Sequence, residues 1–224
     1  MIIGGNLPSL VTNKVEIVDL ETYLSVCQPA TNLPKPLFGS TALLYNNTPI
    51  VCGGYDSYIL DLSSCYIYQN LSWLNGPEMT SPRRFHAMTI SPFISDASSL
   101  FITGGYQGSR SLLSAEILTD SGWKTFSPSL PVTVYYHCMI LINETTAMII
   151  GGYQNDSISA ATFMISNDQL QWSAGPLLNS PRNQHGCAKI CISDRHPDKT
   201  IIVAGGLYNS GLNSAEILDQ GSHL

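Results

Sequence analysis

The sequence is short of charge. Only 12% of its 224 residues are Asp, Glu, Lys or Arg, where roughly 25% is usual, so neither a charge-laced coiled coil nor an acidic disordered tail fits. Ten Lys and Arg stand against sixteen Asp and Glu, and the resulting charge of −6 repels a phosphate backbone overall. Nucleic acid is therefore not an expected partner. Long apolar runs are also missing. The longest, such as MIIGG and IIVAGG, are closed off by glycines well short of the roughly 18 to 20 residues a membrane helix needs, so no membrane span is expected. Met1 is followed at once by Ile2-Ile3-Gly4-Gly5, without the basic and long apolar parts of a secretory leader. The expectation is a processed chain or a piece of a longer one. No stretch keeps helical periodicity for roughly 10 to 12 residues, so almost no helix is expected. There is no Gly-x-Ser-x-Gly elbow, phosphate-binding glycine loop, His-Glu-x-x-His or clustered carboxylate pair; neither catalysis nor a cofactor is expected.

What the chain has is repetition. Gly-Gly doublets end five apolar runs, at Gly4, Gly53, Gly104, Gly151 and Gly205, spaced 49, 51, 47 and 54 residues apart. About eleven residues after each doublet comes a short strand-like run: Val15-Glu16-Ile17, Tyr66-Ile67-Tyr68, Ala115-Glu116-Ile117, Thr162-Phe163-Met164 and Ala215-Glu216-Ile217. An aromatic follows in four units, Tyr23, Trp73, Trp123 and Trp172. Then come a Pro-rich turn and a segment carrying His86, His137 or His185, with Gly39 in that slot in the first unit. A period of this length makes each unit one supersecondary element that buries its apolar face only against its neighbours.

A unit of about 50 residues with a Gly-Gly doublet, a later Trp and a Pro-Arg-x-x-His turn resembles the kelch repeat, over essentially the whole chain. The resemblance implies an all-β fold, a kelch β-propeller of four-stranded antiparallel blades. Four complete units (1–50, 51–101, 102–148, 149–201) and a partial fifth (202–224) form one domain. Each unit reads as strand b into Gly-Gly, strand c in the Ala-Glu-Ile slot, strand d at the Trp, and strand a of the next blade at the His. That gives five b and five c strands but four d and four a, so a fragment or incomplete ring is expected, with a five-bladed ring closed by its two ends as the rival. Glu16, Glu116 and Glu216 share one slot and read as structural.

Cys52 and Cys65 fall on adjacent antiparallel strands b and c, where Cβ atoms about 4.5 to 5.5 Å apart suit a disulfide. Cys138 and Cys187 read as small buried apolar side chains. Cys187 and Cys191, four residues apart on a strand and hence about 13 Å apart, cannot share a metal with His185. Sequons at Asn46, Asn70, Asn143 and Asn155 lie at turns or loop edges. With the disulfide, they point to an extracellular or secreted glycoprotein.

In kelch adaptor proteins, the turn before strand a and the residue after Gly-Gly form the partner pocket. By that resemblance the matching positions are Arg83, Arg84 and Arg182, with Tyr55, Tyr106, Tyr153, Leu207 and, in the first unit, Asn6. Rigid aromatics beside planar guanidinium groups suit a recognition surface. The repeated histidines read as structural, their rings bonded to a neighbouring blade, rather than as a metal ring. The expected function is non-catalytic binding of a protein or glycoprotein partner. The alternatives are a cytoplasmic ubiquitin-ligase substrate adaptor and a galactose-oxidase-like enzyme scaffold.

Overall fold

The structure is a computed structural model that describes residues 1–7, 10–18, 28–56, 60–94, 99–190 and 200–219. Tyr23 and Cys191 lie outside them. Every regular element among the described residues is a β-strand, and every pairing is antiparallel.

Five sheets follow one another along the chain. The first joins β1 (Ile2–Leu7), β2 (Leu10–Ile17) and β3 (Gln28–Pro29). The second runs β4 (Thr41–Tyr45), β5 (Thr48–Cys52), β6 (Cys65–Gln69), β7 (Ser72–Asn75) in spatial order. The third holds β8 (Ala87–Ile90) and β9 (Leu100–Thr103). After a hairpin of β10 (Tyr106–Gln107) and β11 (Arg110–Ser111), it adds β12 (Ala115–Thr119) and β13 (Gly122–Phe126).

Short β14 (Val134–Tyr135) precedes the fourth sheet, β15 (Cys138–Asn143), β16 (Thr146–Ile150), β19 (Thr162–Ser166) and β20 (Trp172–Ala174). The hairpin β17 (Tyr153–Gln154) and β18 (Ser157–Ile158) interrupts it. The fifth has β21 (Gly186–Ile190), β22 (Thr200–Ala204) and β25 (Ala215–Asp219), around a hairpin of β23 (Leu207–Tyr208) and β24 (Ser210–Gly211). Among the described residues this gives the five b, five c, four d and four a strands read from the repeat, except that the first d strand lies at Gln28–Pro29 rather than at Tyr23.

The apolar runs ahead of Gly53, Gly104 and Gly151 become strands buried on both faces, because the sheets pack on one another in chain order. Val15 and Leu37 meet Val51, Tyr66 and Trp73 of the second sheet. Ile50 and Cys52 of the second sheet meet Leu100 and Ile102 of the third. Phe101 and Ile117 of the third meet Ala147, Ile149 and Ile165 of the fourth, and Met148 and Ile150 meet Ile201 and Val203 of the fifth. First strands of successive sheets also touch, β4 with β8, β8 with β15 and β15 with β21.

Each tryptophan latches its sheet to the loop before it. The indole N–H of Trp73 donates to the Thr31 carbonyl at 2.9 Å, that of Trp123 to Pro77 at 3.1 Å and that of Trp172 to Pro128 at 3.4 Å. The doublets need glycine for space as well as for φ. A Cβ on Gly104 (φ +58°) would lie 2.2 Å from the Val134 carbonyl oxygen, nearer than any real contact, as expected where a second backbone approaches.

Candidate functional site

The Gly-Gly corners of three sheets gather aromatic rings. Backbone pairing sets the residue after four of the five doublets against one in the turn before strand a: Tyr55 with Phe38, Tyr106 with Arg84, Tyr153 with Tyr135, and Leu207 with Asn183. One position further on, Gly39, Phe85, Tyr136 and Gln184 all take positive φ, from 53° to 71°. They form a chain of backbone bonds from unit to unit. The Phe85 N–H donates to the Gly39 carbonyl at 2.8 Å, Tyr136 to Phe85 at 2.9 Å and Gln184 to Tyr136 at 2.9 Å. This register corrects one alignment made from sequence: Gly39 matches the residue before each histidine, and Ser40 matches the histidines. Gly39 is small because a Cβ there would lie 2.6 Å from the Phe85 ring.

The rings form a continuous cluster. Phe38 packs edge-on against Tyr55 and Phe85, Phe85 stacks on Tyr136 at 4.0 Å, and Tyr135 stacks on Tyr153 at 4.9 Å with Tyr106 beside it. The Arg84 guanidinium lies 5.2 Å from the Tyr55 ring centre, 5.5 Å from Phe85 and 5.0 Å from Tyr106, contacts worth about 0.5–2 kcal/mol each depending on desolvation. Asp61 orients it through an ion pair and accepts the Gly108 N–H, tying the β5–β6 connection to the β10–β11 hairpin. Burial, then Tyr55, pushes the Tyr136 phenol up to about 12, so it stays protonated. Beneath the cluster is a cavity of about 290 Å³ lined by Phe38, Ser40, Phe85, Tyr136, Gln184 and the three repeated histidines.

Those histidines are wedges between sheets. His137 Nε2 is 2.9 Å from Thr103 Oγ1 on the preceding sheet, while the His86 and His185 rings crowd the Gly53 and Gly151 corners. Burial is the main cause that holds His86 well below its ordinary value, His137 at about 3 and His185 at about 4; nearby Arg83, His185 and Arg182 respectively add to it. All three are neutral near pH 7. Among the described residues no group of three or more His, Cys, Asp or Glu is arranged to hold a metal ion.

Of the expected contact residues, the structure brings together Tyr55, Arg84 and Tyr106 directly, and Tyr153 through Tyr135 and Tyr136. Leu207 is exposed but outside the ring cluster, bonded to Asn183. Asn6 is exposed on β1, paired with Val11.

Arg83 and Arg182 require a correction, because both are 0% exposed and cannot face a partner. Arg83 pairs with Glu116 and donates to the Gly104 carbonyl at 2.7 Å. Arg182 pairs with Glu216 at 2.6 Å and donates to Gly205 at 2.8 Å. Phe38, Phe85, Tyr135, Tyr136 and Asp61 were not singled out from sequence. The available signal was the aromatic residue just ahead of His86 and of His137, hidden by aligning Gly39 with the histidines.

The structure joins Cys52 to Cys65, Cα atoms 4.1 Å apart. It also joins Cys138 to Cys187, 6.1 Å apart, which corrects the reading of that pair as separate apolar side chains. The contact between β15 and β21 brings them within reach across two sheets.

No family model matches the chain. A stretch of 121 residues is 24% identical to tRNA wybutosine-synthesizing protein 4 of Aspergillus fumigatus, covering 52% of this chain and 12% of that protein.

Proposed function

We propose that the chain is a run of kelch-type propeller blades that binds a protein or glycoprotein partner through its Gly-Gly end, without catalysis, in an oxidising compartment outside the cytosol. Support for the blades comes from five sheets packed on one another in chain order, with the first strands of the last four adjacent and doublets at equivalent corners. Binding rests on one observation: Arg84 held among Tyr55, Phe85 and Tyr106 within a ring cluster drawn from three sheets. Half-buried aromatics around a planar guanidinium are what interface anchors are made of. Two cysteine pairs at bonding distance favour an oxidising compartment. The tRNA in the relative's name is not carried over, since the match spans 12% of that protein and the net charge here is −6.

A photo-crosslinking residue placed at Tyr153 on this end, and another at Lys124 on outer strand β13, tests the reading in cells. Partner adducts are expected from position 153 and not from 124. Adducts from neither, or equally from both, reject the Gly-Gly end as the docking surface, and free thiols at the four cysteines would favour a cytosolic adaptor.

A further inference from the structure

The four sequon asparagines are all exposed, but they are unevenly placed. Strands alternate in direction, so in the second sheet the β4–β5 and β6–β7 turns lie at one end and the Gly53-Gly54 corner at the other. Asn46 occupies the first of those turns (φ 49°) and Asn70 the second (φ 51°). Asn143 closes β15 at its turn into β16, the end opposite Gly151-Gly152. Asn155 differs: it sits in the turn of the β17–β18 hairpin, close to Tyr153, on the Gly-Gly end.

Two further observations separate the same groups. Leu44 (62% exposed) lies two residues before Asn46, and Leu71 (78%) directly follows Asn70, so apolar surface at that end stands next to a potential carbohydrate anchor. The amide bonding also differs. Asn143 Oδ1 accepts from its own sequon, the Thr145 N–H at 2.8 Å and hydroxyl at 3.0 Å. Asn155 Oδ1 accepts instead from the N–H and hydroxyl of Thr133, both at 3.3 Å, and its backbone N–H donates to the Thr133 carbonyl at 3.1 Å. Its side-chain carbonyl is bonded to a neighbouring loop rather than to Ser157.

We infer that Asn46, Asn70 and Asn143 carry N-linked glycans and Asn155 does not, so that carbohydrate covers one end of the sheets, including Leu44 and Leu71, and leaves the aromatic end bare. The inference rests on the secretory reading above, because only there does the chain meet the donor, a polyisoprenyl-pyrophosphate-linked oligosaccharide. The asparagine Nδ2 forms a bond to the anomeric carbon, the bond from that carbon to the pyrophosphate oxygen breaks, the lipid pyrophosphate leaves and Nδ2 loses one proton. No electron transfer is involved.

The full chain is expressed behind a heterologous secretory leader in animal cells. Glycans are removed enzymatically in heavy-oxygen water, and each asparagine is scored by mass. Most molecules are expected to carry the label at positions 46, 70 and 143, and only a small minority at 155. Asn46→Gln, Asn70→Gln and Asn143→Gln should each remove one glycan mass, whereas Asn155→Gln should remove none. Unlabelled asparagines at 46, 70 and 143, or equal labelling at 155, would overturn the inference. A chain that is not secreted is scored the same way after translation into microsomes. No partner enters this measurement, so failed crosslinking at Tyr153 with the predicted glycan pattern would remove the docking reading alone.

Discussion

Arg83 and Glu116 form an ion pair inside the protein, their side chains 0% and 1% exposed. The carboxylate also accepts the Thr80 N–H at 2.7 Å and the Ser81 N–H at 3.1 Å, so the pair staples the turn leaving the second sheet to strand β12 of the third. Arg182 and Glu216 repeat the arrangement, with the Asn179 and Ser180 N–H groups on the carboxylate. The same two slots of the repeat hold Leu37 and Tyr66 in the second sheet, which share one apolar cluster, and Val134 and Phe163 in the fourth. Breaking a buried pair strands a charge at about 3–5 kcal/mol, whereas replacing both partners by apolar groups can be nearly neutral. Arg83→Leu should therefore lower unfolding free energy by that amount. Arg83→Leu with Glu116→Tyr, copied from Leu37 and Tyr66, should recover most of it apart from the lost bonds to the Thr80 and Ser81 N–H groups and to Gly104 and Ser114. A double variant as unstable as the single one would reject the equivalence; urea unfolding reads both.

The tryptophan latches separate packing from hydrogen bonding. Trp123 is 7% exposed, so Trp123→Ala should cost about 3–5 kcal/mol. Trp123→Phe keeps most of the buried body and gives up the bond to Pro77, together costing about 1–2 kcal/mol. Equal losses from the two variants would mean that the indole N–H, rather than the ring, carries the contact.

The two disulfides should differ in worth. Closing 49 residues between Cys138 and Cys187 removes about 4 kcal/mol of unfolded-state entropy in the chain-entropy model, against about 3 kcal/mol for the 13 residues between Cys52 and Cys65. Thermal melts of Cys138→Ala/Cys187→Ala and Cys52→Ala/Cys65→Ala should place the first pair lower. The reverse order would show that local contacts outweigh loop length.

Acid should weaken the fold through its histidines. His137 titrates at about 3 and His185 at about 4 in the folded protein, with His86 also well below its ordinary value, while in the unfolded chain all three protonate near pH 6.5. Between those limits the unfolded state binds more protons, so this contribution is complete above about pH 6.5 and is lost as pH falls toward 4 and 3. The urea midpoint should drop between pH 7.5 and 4.5, and His137→Gln should narrow the difference. A midpoint independent of pH in this range would mean the three rings are not held neutral by burial.

The doublets and tryptophans made the sheet order legible, since each doublet closes an apolar inner strand and each tryptophan marks the outermost strand of its sheet. Cys52 and Cys65 could be paired from sequence because one connection separates their strands. Cys138 and Cys187 could not, because their proximity depends on how two whole sheets pack. Arg83 and Arg182 misled because arginine in a Pro-rich turn looks solvent-facing; only the contact with Glu116 or Glu216, more than thirty residues on, makes it an interior residue. Arg84, one position later, points the other way among the rings.

The unit-to-unit backbone bonds from Gly39 through Phe85 and Tyr136 to Gln184 tie each of the second to fourth sheets to the next. Mechanical or mutational damage to one sheet is then felt chiefly by its two neighbours. The architecture behaves like courses of masonry, in which a single course can be lengthened, shortened or duplicated while those further along keep their footing.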